Sequence, residues 1–143
     1  MSYATPRSAL PSPVAGGNIA CYRFVEGSAS DNTCTQANAA GDRILGVTTG
    51  VEKLPSGTPG ATAGRHAESG DTVDLIGWNN VALLEVGSGG IVRWAGVVSD
   101  ANGAGVAVGA TAGSTFHAIA LETAAEGDVA RVWVCAPNQL SVT

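Results

Sequence analysis

One short device recurs along this chain and limits what the chain can fold into. The sequence reads NAAGDRILGV from Asn38 to Val47, AESGDTVDLI from Ala67 to Ile76, and AAEGDVARVWV from Ala124 to Val134. Each time a Gly-Asp pair follows a small or acidic lead-in and opens an apolar run. Glycine accepts positive φ or a tight bend, and the aspartate that follows accepts hydrogen bonds from nearby backbone N–H groups. The polar lead-in keeps the corner in water. Each pair therefore reads as a corner between strands, so the chain uses one turn device three times without being a strict repeat.

The segments between these corners alternate with period two, as half-buried strands do. Asn18 to Val25 puts Ile19, Cys21, Arg23 and Val25 on one face and Ala20, Tyr22 and Phe24 on the other. Further strands are expected over Arg43–Thr48, Thr72–Trp78, Val81–Val86, Ile91–Val98, Val106–Val108, Phe116–Leu121 and Val129–Cys135. Pro137 is expected to end the sheet. Asn102-Gly103 marks a hairpin, since both residues tolerate positive φ. HAIALETAA has helix-favouring composition, but Phe116, Ala118 and Ala120 sort from His117, Ile119 and Leu121 by period two, which makes it a strand. Val51 to Asp71 carries Pro55, Pro59 and several glycines and reads as a long loop. Together these give about eight short strands, hence an all-β fold, a compact barrel or sandwich.

Residues 1–17 form a separate unit. Pro6, Pro11 and Pro13 remove backbone donors, and Gly16-Gly17 closes the stretch, so it reads as an extended Pro-rich N-terminal arm. Tyr3, Leu10 and Val14 are apolar anchors within it. The β domain then spans 18–143, and the whole is the size of one domain.

Charge is scarce: 13% of the 143 residues are charged, against about 25% in a typical soluble domain. A β-rich chain so poor in charge is expected to cover surface with other copies or a partner. Formal net charge is −5, Lys53 is the only lysine, and six arginines are scattered. No basic stripe with interleaved aromatics exists, so direct nucleic-acid binding is not expected, and no apolar run approaches the roughly 20 residues that a membrane span needs. Cys21, Cys34 and Cys135 form no C-x-x-C pair; they read as small buried hydrophobes in a chain made in a reducing compartment.

The sequence carries no recognisable catalytic or cofactor constellation. A phosphate-binding G-x-x-x-x-G-K-[ST] is missing, and GAGVAVG at Gly103–Gly109 sits in a hairpin with no helix after it. Cys135 with His117 is a conceivable nucleophile pair that nothing in the spacing supports. Glu68, Asp71 and Asp74 have the spacing of oxygen ligands but read as a solvated turn. No enzyme, cofactor or metal is expected. Trp78, Trp94 and Trp133 are the heavy apolar groups and the candidates for a subunit interface.

The order CYRFV, AAGDRILGV, ESGDTVDLI, GGIVRWAGVVSDANG, AIALETAAEGDVARVWV resembles that of the small β-rich capsid decoration (cement) proteins of tailed phages and prophages. The likeness covers about residues 18–135. Cys21, Cys34, the tryptophans and the 51–71 loop depart from the family pattern. The resemblance implies a homotrimer made in the host cytoplasm that binds the major capsid protein on the outer surface of the virion and stabilises the expanded, DNA-filled head. It implies that the arm, through Tyr3, Arg7, Leu10, Pro11, Pro13 and Val14, contacts the shell or a neighbouring trimer. Three alternatives stand beside it: a virion-surface glycan- or receptor-binding module using Trp78, Asn79 and Asn80, an enzyme, and a self-assembling tail or fibre component.

Overall fold

A computed structural model of the chain describes residues 12–41, 43–52, 64–109 and 115–140, with only the backbone path for 137–140. The described residues are all β, without a helix, and form twelve strands. The first half supplies β1 (Val14–Ala15), β2 (Ile19–Ala20), β3 (Phe24–Gly27), β4 (Thr33–Gln36), β5 (Ile44–Thr48), β6 (Arg65–Ala67) and β7 (Leu75–Ile76). The second half supplies β8 (Val81–Glu85), β9 (Gly96–Ser99), β10 (Gly105–Ala107), β11 (Thr115–Ala120) and β12 (Val129–Leu140).

Two five-stranded sheets result, ordered β1-β4-β3-β5-β7 and β10-β9-β11-β12-β8, with β2 and β6 as a separate pair. Only β1 against β4 is parallel; the other strand pairs are antiparallel. Phe24, Ile44 and Val47 of the first sheet meet Leu84, Val97, Val132 and Val134 of the second in the main core. A second cluster, Ala15, Ile19, Val25, Cys34, Ala67 and Val73, covers the other face of the first sheet. Phe24 and Val25 are adjacent and both fully buried because that sheet is packed on both sides.

Two of the Gly-Asp corners are described in full and share one geometry. Gly70 has φ +92° and Gly127 φ +88°. Asp71 Oδ2 accepts from Glu68 N at 2.9 Å, and Asp128 Oδ2 accepts from Ala125 N at 3.1 Å. In both, the aspartate N–H donates back to the carbonyl three residues earlier. The Asn102-Gly103 hairpin joins β9 to β10, with Asp100 Oδ1 accepting from Asn102 N and Ala104 N at 2.7 and 2.9 Å.

Several expectations change. The strand expected over 18–25 is broken at Tyr22, which takes φ +57°. Its carbonyl accepts from Glu85 N at 2.9 Å, so the bend stitches the two sheets together, and Arg23 is paired with Glu85 at the same place. The strand expected over 91–98 starts only at Gly96, because Val92–Ala95 is a turn. Strand β12 runs through Pro137 to Leu140; the proline falls in the register shift between Ala118↔Val134 and Phe116↔Gln139, where no ladder N–H is needed. Strand β6 forms within the segment expected to be a long loop, and β4 forms where no strand was expected. Pro13 and Val14, read as part of the extended arm, are tied into the first sheet. Val14 N donates to Asn32 O, Pro13 O accepts from Val73 N, and Ala15 is buried. Tyr3, Arg7, Leu10 and Pro11 lie outside the described residues.

Candidate interaction surface

The second sheet has apolar residues on both faces. Along β12, Ala130, Val132 and Val134 point into the core, while Val129, Arg131 and Trp133 point out. Along β8, Ala82 and Leu84 point in while Val81 and Leu83 point out. Such doubly apolar strands are the signature of a sheet covered on both sides. Here the outer face is bare: Val81 is 50% exposed, Leu83 45% and Trp133 39%. Cross-strand register sets Val81 opposite Trp133, and Trp133 opposite the half-buried Ile119. The charged groups among them, Arg131 and Glu122, satisfy each other: Arg131 Nη2 and Nε donate to Glu122 Oε2 at 3.0 and 3.2 Å. The backbone N–H of Arg131, donating to Glu122 Oε1 at 3.1 Å, and then these side-chain bonds hold the Glu122 carboxyl below the ordinary glutamate range.

Strand β8 is also the edge of this sheet. Val86 N bonds Asp128 O and Val134 N bonds Asn80 O, which places the hydrogen-bonded pairs of the ladder on the even-numbered residues of β8. The peptide groups of Val81 and Leu83 therefore face away from β12, where no strand joins them among the described residues. An open, mainly apolar groove of about 250 Å³ runs along this edge, lined by Tyr22, Thr48, Gly50, Ile76, Val81 and Leu83 among others.

Across the sheet stands the turn Val92–Arg93–Trp94. Val92 and Trp94 are each 64% exposed. Trp94 takes φ +71°, a conformation that is an outlier for a bulky side chain. The turn is held there by a clamp of hydrogen bonds to 120–124: Trp94 N to Ala120 O at 2.7 Å, Arg93 N to Thr123 Oγ1 at 3.1 Å, and a reciprocal pair between Ile91 and Ala124. The Arg93 guanidinium lies 4.6 Å above the Trp94 ring. Strain persists only where the surroundings over-determine it, and here it fixes an aromatic and a cation on a rigid, solvent-facing tip.

The third tryptophan, Trp78, is 42% exposed, and its indole N–H donates to Ile44 O at 3.0 Å. Asn80 Nδ2 donates to Trp78 O at 2.9 Å, so its amide is spent within the turn that was a candidate sugar platform. Cys21, Cys34 and Cys135 are free and buried. Burial pushes all three thiols up, Cys34 to about 11, the opposite of an activated nucleophile. His117 packs edge-on against Phe24 in the core. The Glu68–Asp71 segment closes its own turn, with Arg65 paired to Glu68.

No family model and no curated protein matches the sequence. The fold does match a solved one. The N base of the head fiber gp8.5 of bacteriophage phi29 superposes with a TM-score of 0.55 at 19% identity, over 92% of this chain and 96% of that one. The chain shares the fold of that phage head protein.

Proposed function

We propose that this chain is a non-enzymatic structural protein of a tailed-phage virion, seated on the outer capsid surface as a homotrimer that cements the expanded, DNA-filled head. The observation that carries this reading is the bare, apolar outer face of the second sheet on a fold shared with the base of a phage head fibre. A doubly apolar sheet with one face in water suits a protein that finishes its surface by assembly.

The mechanism is mechanical. Each trimer bridges neighbouring copies of the major capsid protein through several weak contacts, which must break together for the shell to open. Apolar burial at roughly 25 cal/mol per Å² drives attachment, offset by the cost of ordering the arm. Residues 1–11 carry Tyr3, Arg7, Leu10 and Pro11 toward the shell, with Arg7 pairing an acidic capsid residue, while Pro13 and Val14 root the arm in the first sheet. Neither nucleic acid, membrane nor cofactor takes part.

Mass spectrometry of density-purified virions from a phage encoding the chain is expected to find it in near-stoichiometric amounts, and deletion of its gene to leave heads that burst at lower temperature. Virions free of the protein would refute the reading. The fibre-base fold supports a second reading, a fibre component that assembles open-ended; electron microscopy of the purified protein separates rods from closed particles.

A further inference from the structure

The turn bearing Trp94 and the groove beside β8 lie at the two ends of one cross-strand row. Ala120 N donates to Ala95 O, Ala120 stands opposite Val132, and Val132 stands opposite Ala82, which lines the groove. Strand β10 ends at Ala107, opposite Val97, so among the described residues the Val92–Trp94 turn forms the rim of the sheet at this row. The protein thus carries an exposed, rigid aromatic at one side of its second sheet and an apolar groove of about 250 Å³, room for one indole, at the other.

We propose that Trp94 of one copy seats in the β8 groove of the next, so that copies join head to tail through the second sheet. The occupant is a second copy of this chain for three reasons. Size and polarity match: the groove is lined by Tyr22, Ile76, Val81 and Leu83, and a tryptophan held rigid by its backbone binds at little entropic cost. Charge matches: Arg93, beside Trp94, has no acidic partner among the described residues, while the exposed carboxylate of Glu52, which accepts a backbone N–H from Gly64, lies two positions beyond Gly50. Placement matches as well. A knob and a socket on opposite sides of one sheet make a heterologous contact, which repeats around a ring without needing a twofold axis. Closure after three copies gives the trimer, so the inference deepens the proposed function and rests on its homo-oligomeric part.

The test uses the full chain and two variants at exposed positions, Trp94→Ala to remove the knob and Leu83→Glu to block the groove, with thermal melts to show that each monomer folds. Native mass is measured up to about 1 mM. Wild type is expected to form a closed oligomer. Each variant is expected to shift the assembly midpoint at least about 30-fold upward, the loss of a hot-spot contact. Mixing the two variants is expected to give heterodimers and no ring, since one working knob and one working groove remain. A wild type that stays monomeric, an oligomer indifferent to either change, or a mixture that stays monomeric would each overturn the contact. Virion incorporation of the wild type is scored separately: a virion-bound protein that ignores both substitutions overturns this contact alone, while absence from virions overturns the parent reading.

Discussion

The two five-stranded sheets are built from similar short strands and end up in opposite conditions. The first has the main core on one face and the Ala15–Ile19–Val73 cluster on the other, so its apolar residues are covered twice. The second has the same core on its inner face, and among the described residues no layer covers Val81, Leu83 and Trp133 on its outer face. The contrast separates roles. Residues 12–41, 43–52 and 64–76 carry their own covering layer; residues 81–109 and 115–136 share the same core and leave an apolar outer face exposed.

The largest test of that contrast is truncation. Removing residues 1–17 takes away β1 and at least five backbone bonds, those of Pro13 O, Val14 N, Ala15 N, Ala15 O and Gly16 N. At roughly 0.5–1.5 kcal/mol per bond, it should cost about 3–7 kcal/mol in a denaturant melt. Removing only residues 1–11 should leave the melt unchanged; a drop comparable to the longer cut would break the idea that the first sheet is complete from Ser12 onward.

Next comes a pair of side chains. Phe24→Ala, from the fully buried position in the main core, should cost about 3–5 kcal/mol. Leu83→Ala, on the bare face, should cost under about 1 kcal/mol in the monomer while weakening assembly. Equal losses in monomer stability would mean that the outer face is already structural.

The corners should be smaller and equal in the two halves. Asp71→Ala and Asp128→Ala each remove a side-chain acceptor from one Gly-Asp turn and should each lower stability by about 1 kcal/mol. A difference well beyond that would show that the surrounding layer, not the corner, sets the cost.

The smallest effect is a titration on the bare face. Glu122 is held below its ordinary value by bonds from Arg131. Its contribution is therefore present above the unfolded-state value and is lost as pH falls through the lower folded value. An NMR titration should place the Glu122 midpoint below that of a glutamate in an unstructured peptide; coincident midpoints would mean that the pair is open in solution.

The corners were legible because their signal is local: Gly70-Asp71, Gly127-Asp128 and Asn102-Gly103 carry their own geometry wherever they are placed. The strand at 115–120 was legible by its period. What escaped was imposed from outside. Tyr22 and Trp94 adopt positive φ without being glycine or asparagine, forced by bonds to Glu85 and to Ala120 from far along the chain. Pro137 looked like a terminator because the register shift that tolerates it lies partly in β11. The same limit applies to the interaction surface. Three tryptophans stood out by rarity, but their placement at a core edge, a clamped turn and an open face depends on strand order. The β8 groove depends on which strands lie at a sheet edge, and no local pattern in VALLE reports that.

The measurement closest to the central claim is co-sedimentation of the purified protein with expanded, undecorated heads of a phage that encodes it. The account predicts saturable binding to expanded heads, little to unexpanded shells, and weaker binding when residues 1–11 are removed. Protein that stays in the supernatant at every concentration would contradict it.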